Sequence, residues 1–166
     1  EAALQEHRID LGLVEGICRL PNLRYTTFLQ DELVAVVHTG SKLSLPDEIT
    51  PEDLSRIPLV LRERGSGTLD VFERALSEHN MKLSSLNVLL YLGSTESIKL
   101  FLEHTDCIGI VSIRSISREL LSGTFRVIEI KGMPMLREFC FAQPQGQESG
   151  LSQVLMQFAM HHNKKL

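Results

Sequence analysis

Two short segments of the 166-residue chain combine glycine, hydroxyl and cationic residues in an order suited to holding an anion. The first is Arg62-Glu63-Arg64-Gly65-Ser66-Gly67-Thr68 and the second Gly93-Ser94-Thr95-Glu96. Each follows an apolar, strand-forming run and precedes a stretch with helical apolar spacing. The first turn of a helix carries N–H groups that have no intrahelical acceptor, and with the aligned peptide dipoles they attract carboxylate, sulfate or phosphate. Ser66, Thr68, Ser94 and Thr95 add hydroxyl donors, while Gly65 and Gly67 let the backbone turn tightly. Arg62 and Arg64 stand where they would add charge. The plainer reading is an ordinary helix cap, because Ser and Thr serve that purpose at many helix starts. Two such turns in one short α/β chain favour a shared crevice, with paired helix N-termini facing each other across a gap, since ligands gather outside the carboxyl ends of parallel strands.

Sharper signatures are missing. Asp70 stands where a dinucleotide-binding fingerprint starting at Gly65 would need its third glycine, and neither a P-loop nor a Gly-x-Ser-x-Gly elbow occurs. His104, Asp106 and Cys107 have metal-ligand chemistry, but they straddle a helix end and a buried strand. Cys107 should point into the core, so no metal site is expected. His161 and His162 are adjacent on a helix, face different directions and, with Lys164 and Lys165, complement the helix dipole. Cys18 and Cys140 have no nearby His in sequence, and no carboxylate pair is spaced for acid–base work. The residues offer places to hold an anion, no machinery to transform one, and no cofactor site.

The elements that must position the two turns follow from periodicity. Residues 1–8 read as a short amphipathic helix, 9–14 as a strand, and 25–38 as a long extended stretch rich in Thr, Phe and Val. Thr50 caps a short helix with Pro51 at its first position and Asp53 at its third. Strands are expected at 57–61, 88–92, 107–111, 125–130 and 136–141. Leu69, Val71, Phe72 and Leu76 form the apolar stripe after the first turn. Ile98, Phe101 and Leu102 do so after the second, and Leu151, Val154, Leu155 and Phe158 line a final helix over 151–162. A short polar helix around 116–121 completes the series. Strands separated by helices indicate an α/β protein with mainly parallel sheets.

Composition narrows the partners. With 43% hydrophobic and 23% charged residues the chain is an ordinary globular one, long enough to bury a core without disulfides or metal. A net charge of −4 makes it a poor nucleic-acid binder by itself. No apolar run approaches the ~20 residues that span a bilayer, so no membrane partner is expected. The opening residues lack the basic and apolar regions of a signal peptide. Three scattered cysteines suit a reducing cytoplasm.

Ile9-Asp10-Leu11-Gly12-Leu13-Val14-Glu15-Gly16, Asp31-Glu32-Leu33-Val34-Ala35-Val36-Val37, Leu61 to Thr68, Gly93-Ser94-Thr95-Glu96-Ser97-Ile98-Lys99 and Ile108-Gly109-Ile110-Val111-Ser112 occur in this order. The series resembles the effector-binding domain of LysR-type transcriptional regulators over nearly the whole chain. The resemblance implies a two-subdomain, periplasmic-binding-protein-like (type 2) α/β fold with two crossover strands, near residues 28–31 and 132–136. Subdomain I would comprise 1–30 and 133–166, and subdomain II 31–132, with an inducer in the cleft between them. It also implies that Glu15 and Gly16 line that cleft. Two features depart from the family. The winged helix-turn-helix, its linker and the first strand-helix-strand of the effector domain have no counterpart here, and His104-Thr105-Asp106 replaces a glycine-bearing turn.

The expected function is non-catalytic sensing of an anionic inducer by Ser66, Gly67, Thr68, Ser94 and Thr95, with charge from Arg62 or Arg64. The family further implies a cytoplasmic bacterial protein that forms homodimers, and tetramers at full length, meeting promoter DNA only through the N-terminal domain. A stand-alone solute-binding protein and an enzyme on a related two-lobed scaffold are the alternatives. Upstream sequence separates them.

Overall fold

A computed structural model describes residues 1–15, 20–146 and 150–163. In chain order these form α1 (Ala2–Gln5), β1 (Gly12–Glu15), β2 (Leu23–His38), β3 (Glu48–Ile49), β4 (Leu59–Arg62), α2 (Gly67–Glu78) and β5 (Val88–Leu92). There follow α3 (Thr95–His104), β6 (Ile108–Ser112), α4 (Ser117–Leu121), β7 (Phe125–Ile130), β8 (Met135–Pro144) and α5 (Gly150–Asn163). The chain divides into two units, Glu1–Asp31 with Arg137–Leu166, and Glu32–Leu136. We call these unit 1 and unit 2; β2 and β8 each run from one into the other.

Unit 2 is a sheet in the order β5-β4-β6-β2, extended by β7 on β2 and β3 on β7. β4 is parallel to both β5 and β6, and β3 is parallel to β7. β2 alone runs against its neighbours β6 and β7. Alternation along each strand sends side chains to two cores. Leu59 and Leu61, Ile108 and Ile110, and Leu33, Ala35 and Val37 meet Leu69, Val71, Phe72, Ala75 and Leu76 of α2 on one face. Val60, Val111 and Val36 meet Ile98 and Leu102 of α3 on the other, joined by Ile116 ahead of α4. The apolar stripes expected for α2 and α3 are thus the ones that pack. Gly109 lets α3 lie close to β6, because a Cβ there would stand 2.9 Å from the Ile98 side chain and 3.1 Å from that of Leu102. The short helix after Thr50 is a 3-10 turn (Pro51–Ser55) with the expected capping box, in which Asp53 Oδ2 accepts from Thr50 N at 2.8 Å.

These directions fix what gathers where. The carboxyl ends of β5, β4, β6 and β7 emerge at one edge of the unit 2 sheet, where β2 also enters, since Leu33 pairs with Ser112. Along that edge lie, in order, the Ser94 turn, the Ser66 turn, Ser112, Glu32 and Leu33 of β2 and the end of β7.

Unit 1 pairs β1 antiparallel with β8, from Gly12↔Ala142 to Glu15↔Phe139. Leu4, Leu23 and Ala142 form a small core with Val14, Leu20 and Tyr25 against it. Phe28 of β2 packs on Phe141 of β8 with ring centroids 4.8 Å apart.

Several expectations need correction. The sheets are mixed rather than mainly parallel, because the strands that cross between units run against their neighbours. The first helix is one turn, Ala2–Gln5, and the first strand starts only at Gly12, leaving Ile9 exposed. The apolar stripe of α5 is not a buried face: Leu151 is 80% exposed, Val154 64%, Leu155 54% and Phe158 59%. Its inward side is Ser152, Met156, Ala159 and Met160. Helical spacing groups residues on a face but does not decide whether anything covers it.

Candidate functional site

β4 and β5 are adjacent and parallel, with Leu61 opposite Tyr91 and Arg62 opposite Leu92. Their carboxyl ends therefore bring the two hydroxyl-bearing turns side by side on one edge of one unit. They do not face each other across a gap, which corrects the expected arrangement. Glu63 N donates to Leu92 O at 3.1 Å, continuing the ladder into the first turn. Gly65 adopts φ +85°, a conformation that side-chain-bearing residues avoid, and this bends the chain into α2.

Both serines are N-caps. Ser66 Oγ accepts from Leu69 N at 3.2 Å, and Ser94 Oγ accepts from Ser97 N at 3.1 Å. A capped helix still begins with outward N–H groups. Gly67, Thr95 and Ser94 are half-buried, whereas Thr68 is 7% exposed and turned inward as part of the first turn of α2.

Arg62 has a different role from the expected supplier of free charge. Its guanidinium is held by its neighbour, Nε and Nη2 donating to the Glu63 carboxylate at 2.8 and 2.9 Å, and Nη2 also reaches Gly93 O at 3.4 Å. The Glu63 hydrogen bonds raise the Arg62 pKa above its ordinary value, and the Arg62 hydrogen bonds lower that of Glu63. Arg62 therefore fastens one turn to the other with its charge already matched. Arg64 is exposed. Glu96, in the first turn of α3, is neutralised by Lys99 at 2.8 Å, and Lys99 also binds Glu119 at 2.7 Å.

Ser112 was not among the nominated residues. It ends β6 beside the Ser66 turn, and its Oγ accepts from Arg114 N at 3.2 Å at the start of a 3-10 turn. The same strand-then-hydroxyl order was there to read. The element that follows is only Ile113–Ile116, too short to show a helical stripe.

Glu15 lies in unit 1, at the end of β1, and is occupied. Arg137 Nη1 donates to Glu15 Oε1 at 2.5 Å, while Nε and Nη2 reach Asp31 Oδ2 at 2.8 and 2.7 Å. The guanidinium lies 4.8 Å from the centre of the Phe139 ring. The side chains of Asp31, Arg137 and Glu15 are 2%, 11% and 20% exposed, so this is a largely buried cluster joining β1, β2 and β8. Gly16 and Cys18 lie outside the described residues.

Of the residues considered for metal, Asp106 is hydrogen-bonded and Cys107 is buried. Asp106 accepts from Ser41 Oγ at 2.9 Å and from Lys42 N at 2.8 Å. Cys107 is buried in the core, and burial pushes its thiol up to about 11. No described helix is long and apolar enough to cross a membrane.

Against known proteins, the family model described as the LysR substrate binding domain matches residues 1–164. An HTH-type transcriptional regulator of Escherichia coli K12, YeiE, is 33% identical over 128 residues, covering 77% of this chain and 42% of that protein. The transcriptional activator CmpR of Synechocystis is 29% identical over 144 residues, covering 86% and 46%. The chain thus spans less than half the length of these relatives. Among solved structures, the regulatory domain of Synechocystis CcmR in complex with 2-PG superposes with TM-score 0.81 at 24% identity, over 99% of this chain and 78% of that one. The effector-binding domain of QuiR in complex with shikimate gives 0.76 at 19%, over 99% and 76%. At these identities the likeness is one of fold, the type 2 periplasmic-binding-protein-like α/β fold of LysR-type effector domains. With the whole of its described sequence inside the match, the chain belongs to the LysR substrate-binding-domain family of transcriptional regulators.

Proposed function

We propose that this domain senses a small anionic effector, held without chemical change at the edge of unit 2 where the Ser66 and Ser94 turns stand side by side. The observation that carries the reading is the parallel pairing of β4 with β5, which aligns two serine-capped helix N-termini on one sheet edge with Arg62 tied to both. Ser66, Gly67, Ser94 and Thr95 supply hydroxyl and amide donors, Arg64 supplies charge, and Arg62 holds the turns in register. Two charge-assisted hydrogen bonds at ~1.5–3 kcal/mol each give useful affinity. Binding becomes regulation when the effector favours one conformation of the domain over another, and each ~1.4 kcal/mol of preference shifts the populations tenfold.

The wider assignment follows family membership and composition. Units 1 and 2 serve as the two subdomains, and β2 and β8 as the crossovers. The domain is non-enzymatic and cytoplasmic, and promoter DNA is met through a helix-turn-helix region such as its longer relatives carry in their names. The acidic net charge of −4 suits that division. A homodimer is supported by β5, the last strand of its sheet, which exposes Leu89, Leu90 and Tyr91 in succession. Unpaired apolar edges are prone to such pairing.

The test is a thermal-shift screen of carboxylates, sulfate and phosphorylated metabolites, repeated with Ser66→Ala/Ser94→Ala. An anion at 100 times its dissociation constant stabilises a domain by about 2.7 kcal/mol. The reading expects at least one anion that shifts the melting temperature of the parent chain and not of the double variant. Equal shifts in both would refute it.

A further inference from the structure

A cavity of about 530 Å³ lies in unit 2 away from the serine turns. Its cause is a fork in the sheet. β2 pairs with β6 from Leu33 to Val37, but with β7 only from Ala35 to His38. Beyond the Ala35↔Ile128 pair, β7 stays with β3 through Glu129 and Ile130, and Lys131 N donates to Ile49 O at 2.9 Å. β2 and β7 are held by different partners and part, and the cavity fills the opening.

Strand alternation assigns the walls. Val34 and Val127 pack toward the α3 side of the sheet together with Ile113. Glu32 and Glu129 sit two residues along from Val34 and Val127, so both carboxylates project on that same side. The returning chain closes the cavity from the other side, where Met133 and Met135 are buried in the core that α2 covers. That segment is fixed in place: Gly132 has φ +68°, Met133 N donates to Ile130 O at 3.1 Å, and His79 Nε2 lies 3.1 Å from Gly132 O. The cavity is within the range of small-molecule sites. Its lining holds two carboxylates and no Lys or Arg.

We infer that this fork is a second ligand site, for a small molecule with an apolar body and a single ammonium group, bound between the diverging ends of β2 and β7. The apolar body lies against Val34, Ile113 and Val127 on the α3 side of the sheet. The ammonium sits at the rim between Glu32 and Glu129. Its charge is opposite to that of the effector proposed above, and three strand spacings of ~4.8 Å separate β7 from β4. The site does not depend on the sensing assignment. The fork is walled by the two segments through which the chain enters and leaves unit 2, so an occupant restrains both.

The experiment titrates the chain with 4-phenylbutylamine, 4-phenylbutanol and 4-phenylbutyrate, followed by amide NMR shifts. The amine should saturate with shifts at Val34, Ile113 and Val127, and the alcohol should bind there more weakly by about fivefold, as expected for a rim ion pair. The butyrate should be weaker still at these residues. Glu32→Gln/Glu129→Gln should reduce the amine to the level of the alcohol, Val127→Trp should abolish both, and Ser66→Ala/Ser94→Ala should change neither. Lack of saturation, equal binding of amine and butyrate at the fork, or amine binding indifferent to the double glutamine variant would overturn the inference.

Discussion

Arg62 and Arg137 each sit on a strand near the limit of their unit, and each is bound by carboxylate, but with opposite reach. Arg62 closes a two-bond pair with the next residue, Glu63, at the half-exposed edge of unit 2. Arg137 reaches back 106 and 122 residues to Asp31 and Glu15, in a cluster from which water is nearly excluded. The first pair lies at the carboxyl end of β4, beside the starts of α2 and α3. The second binds three strands of unit 1 to one guanidinium and leaves little of it for a ligand. The same chemical groups therefore make a local, half-exposed pair in one unit and a largely buried joint in the other.

The contrast can be broken most forcefully at Asp31. Asp31→Ala takes the acceptor of Nε and Nη2 from the largely buried Arg137 guanidinium, and a loss of about 1–3 kcal/mol is expected in urea unfolding. A loss below about 1 kcal/mol would mean that water screens the cluster and that the two arginines are alike after all. Next come the caps. Ser66→Ala and Ser94→Ala should each cost about 1 kcal/mol of stability, since each leaves a first-turn N–H without its acceptor. In the same variants, affinity for an anion identified by screening should fall about tenfold, the equivalent of one charge-assisted bond. Stability lost with affinity intact would make them caps alone.

A smaller effect is expected from pH at the tie between α3 and α4. Burial opposes the charge of Lys99, but Glu119 and Glu96 outweigh it, and the Lys99 pKa is raised above 10.5. The Lys99 hydrogen bond lowers Glu119 below 4.5. The lysine contribution is complete below pH 10.5 and fades as pH rises through the elevated value. The glutamate contribution is complete above pH 4.5 and fades as pH falls through the depressed one. Glu119→Gln should therefore flatten the acid limb of the unfolding profile, and an unchanged limb would place acid sensitivity elsewhere. Smallest of all, Glu63→Gln should leave the unfolding midpoint unchanged while loosening Arg62, seen as a changed Nε resonance.

How much of this could be read from the chain depended on distance along it. Ser66, Ser94 and the Thr50–Asp53 box were legible because a cap is made within three or four residues. The packed faces of α2 and α3 were legible because both sides of the sheet are covered. The bare face of α5 has the same spacing as a buried one, so periodicity could not tell them apart. The Arg137 cluster depends on β1, β2 and β8 meeting, which nothing local records. The adjacency of the two serine turns required the β4–β5 pairing. The fork between β2 and β7 required registers that stop at Ala35 and Ile128.

Amide NMR shifts at Gly67 and Thr95, followed while an anion from the screen is titrated, put the central claim most directly at risk. The account predicts that both amides move together along one saturation curve and that Ser66→Ala/Ser94→Ala removes the response. Shifts at one turn without the other, or saturation centred on unit 1, would contradict it.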